Sequence, residues 1–172
     1  MVQDQTSQNR LPSAWGGEIG VQAHPLSKMV ISAAFWGLTL DNELVFIGDE
    51  GTTENGGASR RIGVDLSLRA SLTNWLYFDA DMTVAKGDFT DRPFGKILEE
   101  DHIIPLAPNF TAAGGISWRF PAGIEGALRY RYVGNRAANE SNTVTAEGYG
   151  LIDFNCFYKK GDINWVSQLK TY

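Results

Sequence analysis

Apolar and polar residues alternate along most of this chain, with the apolar ones mostly at even numbers. The clearest run is 61–70, where Ile62, Val64, Leu66, Leu68 and Ala70 alternate with Arg61, Gly63, Asp65, Ser67 and Arg69. The next run repeats it, with Leu76, Phe78, Ala80, Met82 and Val84 against Tyr77, Asp79, Asp81, Thr83 and Ala85. A period of two marks a β-strand with one apolar and one polar face.

The same reading predicts strands along the rest of the chain. After a polar lead-in over residues 1–14, a strand runs near Trp15 to Ala23, with Ile19, Val21 and Ala23 opposite Glu18, Gly20 and Gln22. His24-Pro25-Leu26-Ser27 is a tight turn, because proline cannot donate to a strand ladder. A long strand follows over 28–47, with Val30, Ala34, Trp36, Leu38, Leu40, Leu44 and Phe46 on one face, and Asp41-Asn42 marking a bulge or an exit from the apolar zone. A polar loop spans 48–57, and Ser71-Leu72-Thr73-Asn74 turns tightly between the two strands described above. A second long loop covers 86–108. Then come a strand over 109–120, a tight turn at Pro121-Ala122-Gly123, a return strand from Ile124 to Tyr132, and a third long loop over 134–148. A strand from Tyr149 to Tyr158, a turn over 159–162 and a last strand from Ile163 complete the set.

That is a series of eight antiparallel strands whose connections alternate short and long. One end carries tight turns and the other large loops, the arrangement of periplasmic turns and extracellular loops in an outer-membrane β-barrel. Strands of about ten residues, tilted, suffice to cross a bilayer. A soluble β-sandwich also alternates, with its apolar face on a core rather than in lipid. Three features favour the membrane: the loop asymmetry, mid-strand charges of both signs, and aromatics near strand ends (Trp15, Trp36, Phe46, Trp75, Trp118, Phe120 and Tyr132). The expected fold is therefore all-β, an antiparallel transmembrane β-barrel wall.

Bulk composition narrows the partners. A net charge of −5 over 172 residues supplies no basic surplus for phosphates, so nucleic acid is not an expected partner. No run of about 18 apolar residues exists to form a transmembrane helix. The opening MVQDQTSQNR has no apolar signal region, which leads us to expect a piece of something longer. Cys156 is the one cysteine and is expected to be an apolar filler facing lipid.

Candidate chemistry is sparse. Glu99-Glu100-Asp101-His102 is the densest set of potential metal ligands, but in a loop it reads as a solvated acidic run. The 48–57 loop, with Asp49, Glu50 and Glu54, resembles a calcium loop in composition and lacks EF-hand spacing. Gly114-Gly115 has no nucleotide-binding spacing, and His24 and His102 are expected at opposite ends of the barrel. Arg69, Arg129 and Arg131 against Asp65, Asp79 and Asp81 are expected to form a structural charge ladder on the wet face. No catalytic, cofactor or metal residues are assigned.

Several stretches resemble, in order, the TonB-dependent outer-membrane receptor family. Trp15-Gly16-Gly17-Glu18-Ile19-Gly20-Val21 is similar to its W…E-x-G strand, and Leu44 to Thr52 followed by Ser59-Arg60-Arg61-Ile62-Gly63-Val64-Asp65 to its G…SRRxGvE hairpin. Ile104-Pro105-Leu106-Ala107-Pro108 resembles its iPlaP loop end, and Arg129-Tyr130-Arg131-Tyr132-Val133-Gly134 its lryryvG strand. The resemblance implies part of a barrel of about 22 strands, at the cell outer membrane. It also implies a non-enzymatic role in energised uptake of a ferric siderophore or similar scarce ligand. Its partners would be the bilayer, an extracellular iron chelate, and TonB through a plug domain.

The departures shape the expectation. Neither a plug domain nor a TonB box is recognisable. Residues 15–172 therefore read as a partial barrel, from the C-terminal part of such a receptor. Lys170, Gln168 and Asn164 occupy positions where a terminal assembly signal is apolar, so the chain reads as cut before the last strand. Two alternatives stand beside this: a small autonomous eight-stranded barrel, porin- or adhesin-like, and a soluble β-sandwich binding protein.

Overall fold

A computed structural model describes residues 12–47, 52–55, 57–90, 103–139, 142–160 and 163–171. Eight strands form one antiparallel meander: β1 (Ala14–Leu26), β2 (Met29–Leu40), β5 (Ser59–Ser71), β6 (Leu76–Phe89), β7 (Phe110–Arg119), β8 (Ile124–Val133), β11 (Tyr149–Lys160) and β12 (Ile163–Lys170). They pair in that order, each hairpin beside the next. Two short hairpins, β3 (Leu44–Ile47) with β4 (Thr52–Asn55) and β9 (Arg136–Ala137) with β10 (Thr145–Ala146), sit at the end that carries the long loops. Each of the eight long strands lies in a stretch where the sequence predicts a strand.

The sheet is a single layer. The only buried apolar side chains among the described residues are Phe89 and Ile104, so no second sheet packs on either face and the sandwich expectation falls. Within the sheet β1 pairs only with β2 and β12 only with β11, which leaves an open eight-stranded sheet rather than a small closed barrel.

Pairing fixes the faces, since residues directly opposite one another across an antiparallel ladder share a side. Leu66 lies opposite Met82, Ala80 opposite Gly114, Ile116 opposite Leu128 and Leu128 opposite Phe154, which makes one continuous apolar face. Asp65, Asp79, Arg129 and Asp153 lie on the other.

The register corrects the expected face of β2. Ile31, Ala33 and Phe35 lie opposite Leu68, Leu66 and Val64, whereas Val30, Ala34, Trp36 and Leu38 lie opposite Arg69, Asp65, Gly63 and Arg61. The even positions of β2 thus belong to the charged face, and Trp36 is not a rim aromatic. A residue at Gly63 with a Cβ would collide with the Trp36 indole, so the glycine leaves the space the ring occupies. In β12 the same logic places Trp165 and Leu169 on the apolar face, opposite Tyr158 and Phe154, while Lys170 and Gln168 face the charged side. Those polar residues sit where a wet face needs them, and they say nothing against a spanning strand.

Element boundaries differ in several places; β6 runs on to Phe89 and β11 to Lys160, into segments expected to be loop and turn. β1 runs through Pro25 to Leu26, with a bulge between Ala23 and Leu26 that absorbs the proline on an edge strand. The expected 28–47 strand stops at Leu40, where Asp41 reaches back to Ser13: its carboxylate accepts from the Ser13 N–H (2.7 Å) and its own N–H donates to the Ser13 carbonyl (3.1 Å). Leu44–Ile47 then pairs with Thr52–Asn55 inside the region expected to be loop. The short-turn end is tight: Thr73 Oγ1 accepts from the N–H groups of Trp75 and Leu76, and Gly123 turns at φ 86°, a backbone conformation glycine adopts without cost.

Candidate functional site: the charged face and the loop-end rim

On the charged face each arginine of the central strands meets a carboxylate. Arg69 Nη2 on β5 donates to both carboxylate oxygens of Asp81 on β6, at 2.8 and 2.9 Å. Arg131 on β8 donates to Asp153 on β11 at 2.7 Å. Arg129 lies directly between Gly115 of β7 and Asp153 of β11. It does not take Asp153; it reaches across Gly115 to Asp79 of β6, two strands away, and leaves Asp153 to Arg131. A Cβ at Gly115 would run into the Leu128 carbonyl and the Arg129 Cα, so the glycine is what lets β8 lie this close under the crossing side chain. Asp65 accepts from the Thr83 hydroxyl at 2.6 Å.

The expected set of Arg69, Arg129, Arg131, Asp65, Asp79 and Asp81 is therefore brought together on one face. Asp153 completes the pairing, and Asp65 answers a hydroxyl rather than an arginine. Charges compensated strand by strand across a wet surface hold the register of the wall. Among the described residues these pairings take up Arg69, Arg129 and Arg131.

The second assembly lies at the loop end. Phe89 and Ile104 form a small buried cluster with Ala107 against it. Ile103 bridges to Asp88, and the Leu106 N–H donates to the Ala137 carbonyl at 2.8 Å, so the segment 103–107 folds back over the rim of the charged face. Ile104 lies above Gly87, beside the Arg61 stem. Arg61 pairs with Glu43, which enters from the segment after β2. Around that pair Asn42 Oδ1, Glu43 Oε2, Ser59 Oγ and Arg61 Nε are buried without a hydrogen-bond partner. A cleft of about 320 Å³ opens beside this rim, lined by Asp88, Asn109, Asn135, Arg136, Asn142 and Thr145 among others. Arg136 stacks over the Tyr149 ring at 5.8 Å, and its Nη1 has no hydrogen-bond partner. The rim is thus rich in polar groups able to receive a polar ligand. Sequence reading missed Glu43, Arg61 and Arg136 as a group; the one available signal was the apolar stretch Ile103-Ile104 inside a polar loop.

Other expected features fall elsewhere. The Glu99 to His102 cluster lies outside the described residues, as do Asp49 and Glu50. Among the described residues no group of three or more His, Cys, Asp or Glu could hold a metal ion. His24 is at the short-turn end beside Gln22, and Cys156 is on the apolar face opposite Gly126 and Ser167. The aromatics form bands on the sheet. Trp75 packs on Phe120 (4.7 Å between centroids) and Trp118 on Phe154 (6.1 Å) towards the turns, and Phe110 on Tyr132 (5.9 Å) at the loops. Such bands mark the two interfaces of a bilayer.

An open, single-layer antiparallel sheet with an apolar outside, a paired charged inside, aromatic bands and long loops at one end is a segment of a membrane-barrel wall. Comparison with known families agrees: the model of the TonB dependent receptor-like β-barrel matches residues 11–170. The chain belongs to that family. Among solved structures it is similar to the ferric yersiniabactin uptake receptor FyuA from Yersinia pestis, with 17% identity and TM-score 0.66 over 86% of this chain and 22% of that one. It is also similar to the siderophore receptor PiuA from Acinetobacter baumannii (21%, TM-score 0.63, 87% and 22%) and to the ferric citrate transporter FecA (15%, TM-score 0.68, 91% and 26%). At these identities the likeness shows the fold, and the chain spans about a quarter of each neighbour's length or less. No curated protein matches.

Proposed function

We propose that this chain forms the C-terminal part of the barrel wall of an outer-membrane receptor that takes up a ferric chelate by TonB-dependent energised transport. The rim around Arg61, Glu43 and Arg136 would contribute to ligand capture. The observation that carries the reading is the asymmetry of the sheet: a compensated charge ladder inside, lipid-compatible residues outside, and polar groups without protein partners concentrated at the loop end. The names of the structural neighbours, all receptors or transporters of iron compounds, support the ligand class. Residues 15–172 supply wall and loops in this reading, and the plug and the contact with TonB belong to the rest of the receptor. No catalytic step is assigned to any residue.

The test is uptake of radiolabelled iron by cells whose only iron receptor is the full reading frame containing this chain, challenged with a panel of ferric siderophores and ferric citrate. Saturable uptake that stops on adding a proton uncoupler, and that weakens when Arg61 and Arg136 are replaced by Gln, is the expected result. Uptake insensitive to the uncoupler would overturn energised transport, and insensitivity to the two substitutions would remove the rim from the ligand path.

A further inference from the structure

The segment 103–107 is a partition between two parts of the rim. On one side Ile103, Ile104 and Ala107 line the cleft that also holds Asn109, Asn135 and Arg136. On the other, Ile104 lies above Gly87 and beside the Arg61 stem, next to the Arg61–Glu43 pair. By register Ser59 is opposite Phe89 and Arg61 opposite Gly87, so the contact of Ile104 with Phe89 closes over both.

Three observations mark this partition as weakly held. With it closed, Asn42 Oδ1, Glu43 Oε2, Ser59 Oγ and Arg61 Nε are out of reach of water and have no hydrogen-bond partner. Each of these atoms forgoes hydrogen bonds that water would supply. The apolar burial gained is small, because Phe89 and Ile104 are the only buried apolar side chains among the described residues and Leu106 stays 43% exposed. Leu106 itself sits at φ 60°, a left-handed conformation that a bulky side chain adopts only under strain. Against these stand the bridge from Ile103 to Asp88 and the hydrogen bond from the Leu106 N–H to the Ala137 carbonyl.

We propose that segment 103–107 is a displaceable partition, and that its opening joins the cleft beside Arg136 to the polar cluster of Asn42, Glu43, Ser59 and Arg61. Opening hydrates the four stranded atoms and relaxes Leu106, whereas closing regains the contact of Ile104 with Phe89. The two states are therefore close in free energy, and whatever binds the open rim shifts the balance towards it. Two acceptors, one N–H donor and one hydroxyl become available together, a set that water or any group both donating and accepting hydrogen bonds can satisfy. The inference rests on the reading of this rim as a place of ligand capture only for what enters the opened cleft; the opening itself is tested without iron.

Thiol labelling tests it, on the full reading frame containing this chain, carrying Ser59→Cys and held in mild detergent. The probe is a hydrophilic methanethiosulfonate reagent, read by mass spectrometry of the peptide that contains residue 59. Ser59 is fully buried while the partition is closed, so a thiol there reacts only through opening. The expected labelling is slower than that of free cysteine, yet runs to completion while the strand signal in circular dichroism is unchanged. Ile104→Ala is expected to speed it about tenfold or more. Labelling as fast as free cysteine, labelling that waits for the strands to unfold, or a rate that Ile104→Ala leaves unchanged would each overturn the proposal. Should either variant lose its strand signal, amide exchange of the unaltered protein decides. Exchange over 103–107 faster than in the β5–β6 ladder is then expected, and equal protection overturns the opening. A receptor whose partition opens but which fails the iron-uptake assay would leave this inference standing and remove the other.

Discussion

Arg129 and Asp79 depend on each other across an intervening strand, and the two arginine pairs beside them are more open to solvent. The Arg69 and Asp81 side chains are 51% and 45% exposed, against 36% and 20% for Arg129 and Asp79. Exposed pairs contribute about 0.2–1 kcal/mol. Arg129 and Asp79 are better shielded, which places the loss of one member at the upper end of that range, about 1 kcal/mol. Arg129→Met is therefore expected to lower the urea midpoint of the folded protein more than Arg69→Met, and the order would reverse if the two pairs contributed by number alone. At Gly63 the prediction is steric. Gly63→Val should cut the folded yield sharply because the new side chain enters the Trp36 ring, and Trp36→Ala in the same chain should recover part of it. No recovery would mean the glycine is needed for its backbone rather than for the indole. The presence of arginines and aspartates on one face was legible from their odd numbers. Which arginine meets which aspartate was not, because Arg129 passes over Gly115 and the choice depends on residues 50 positions apart.

At the scale of elements, the strands that alternate without ambiguity, β5 and β6, were placed by sequence with their faces. β2 was placed with its faces exchanged. Its sequence is apolar on both sides, with Val30, Trp36 and Leu38 on one and Ile31 and Phe35 on the other, so periodicity alone had no preference. The loop segment 103–107 carried a hidden role for the same kind of reason. An apolar pair inside a polar stretch is silent until its partner is known, and the partner, Phe89, lies at the end of β6. Ile104→Asp would place a charge in that cluster, and we expect it to release the segment from the rim without unravelling the sheet. Limited proteolysis should then cut within 103–109 faster than in the unaltered chain while circular dichroism of the strands is unchanged. Loss of the strand signal as well would show that the rim cluster supports the sheet itself.

At the scale of the molecule the sheet has two open edges, β1 and β12, and six interior strands. Edge strands leave one row of backbone groups without a ladder partner. Amide exchange of the chain in detergent should therefore be slowest in β6, β7 and β8 and fastest along β1 and β12. Protection along β1 and β12 equal to that of the interior strands would show that the edges pair, either with each other or with a second chain. The number of long strands, their order, the alternation of turns and loops and the family were all determined by the sequence. Those properties follow from patterns a few residues long, repeated and separated by turn chemistry that each segment carries in itself. Tertiary structure alone decided the face of β2, the outward set of β12, the crossing of Arg129 to Asp79, and the fold-back of Ile104 over Gly87. The physical reason is common to all four. Slipping a strand by one residue turns every side chain to the opposite face at no local cost. Only hydrogen-bond register with neighbouring strands, and the space those neighbours leave, can therefore choose between the two.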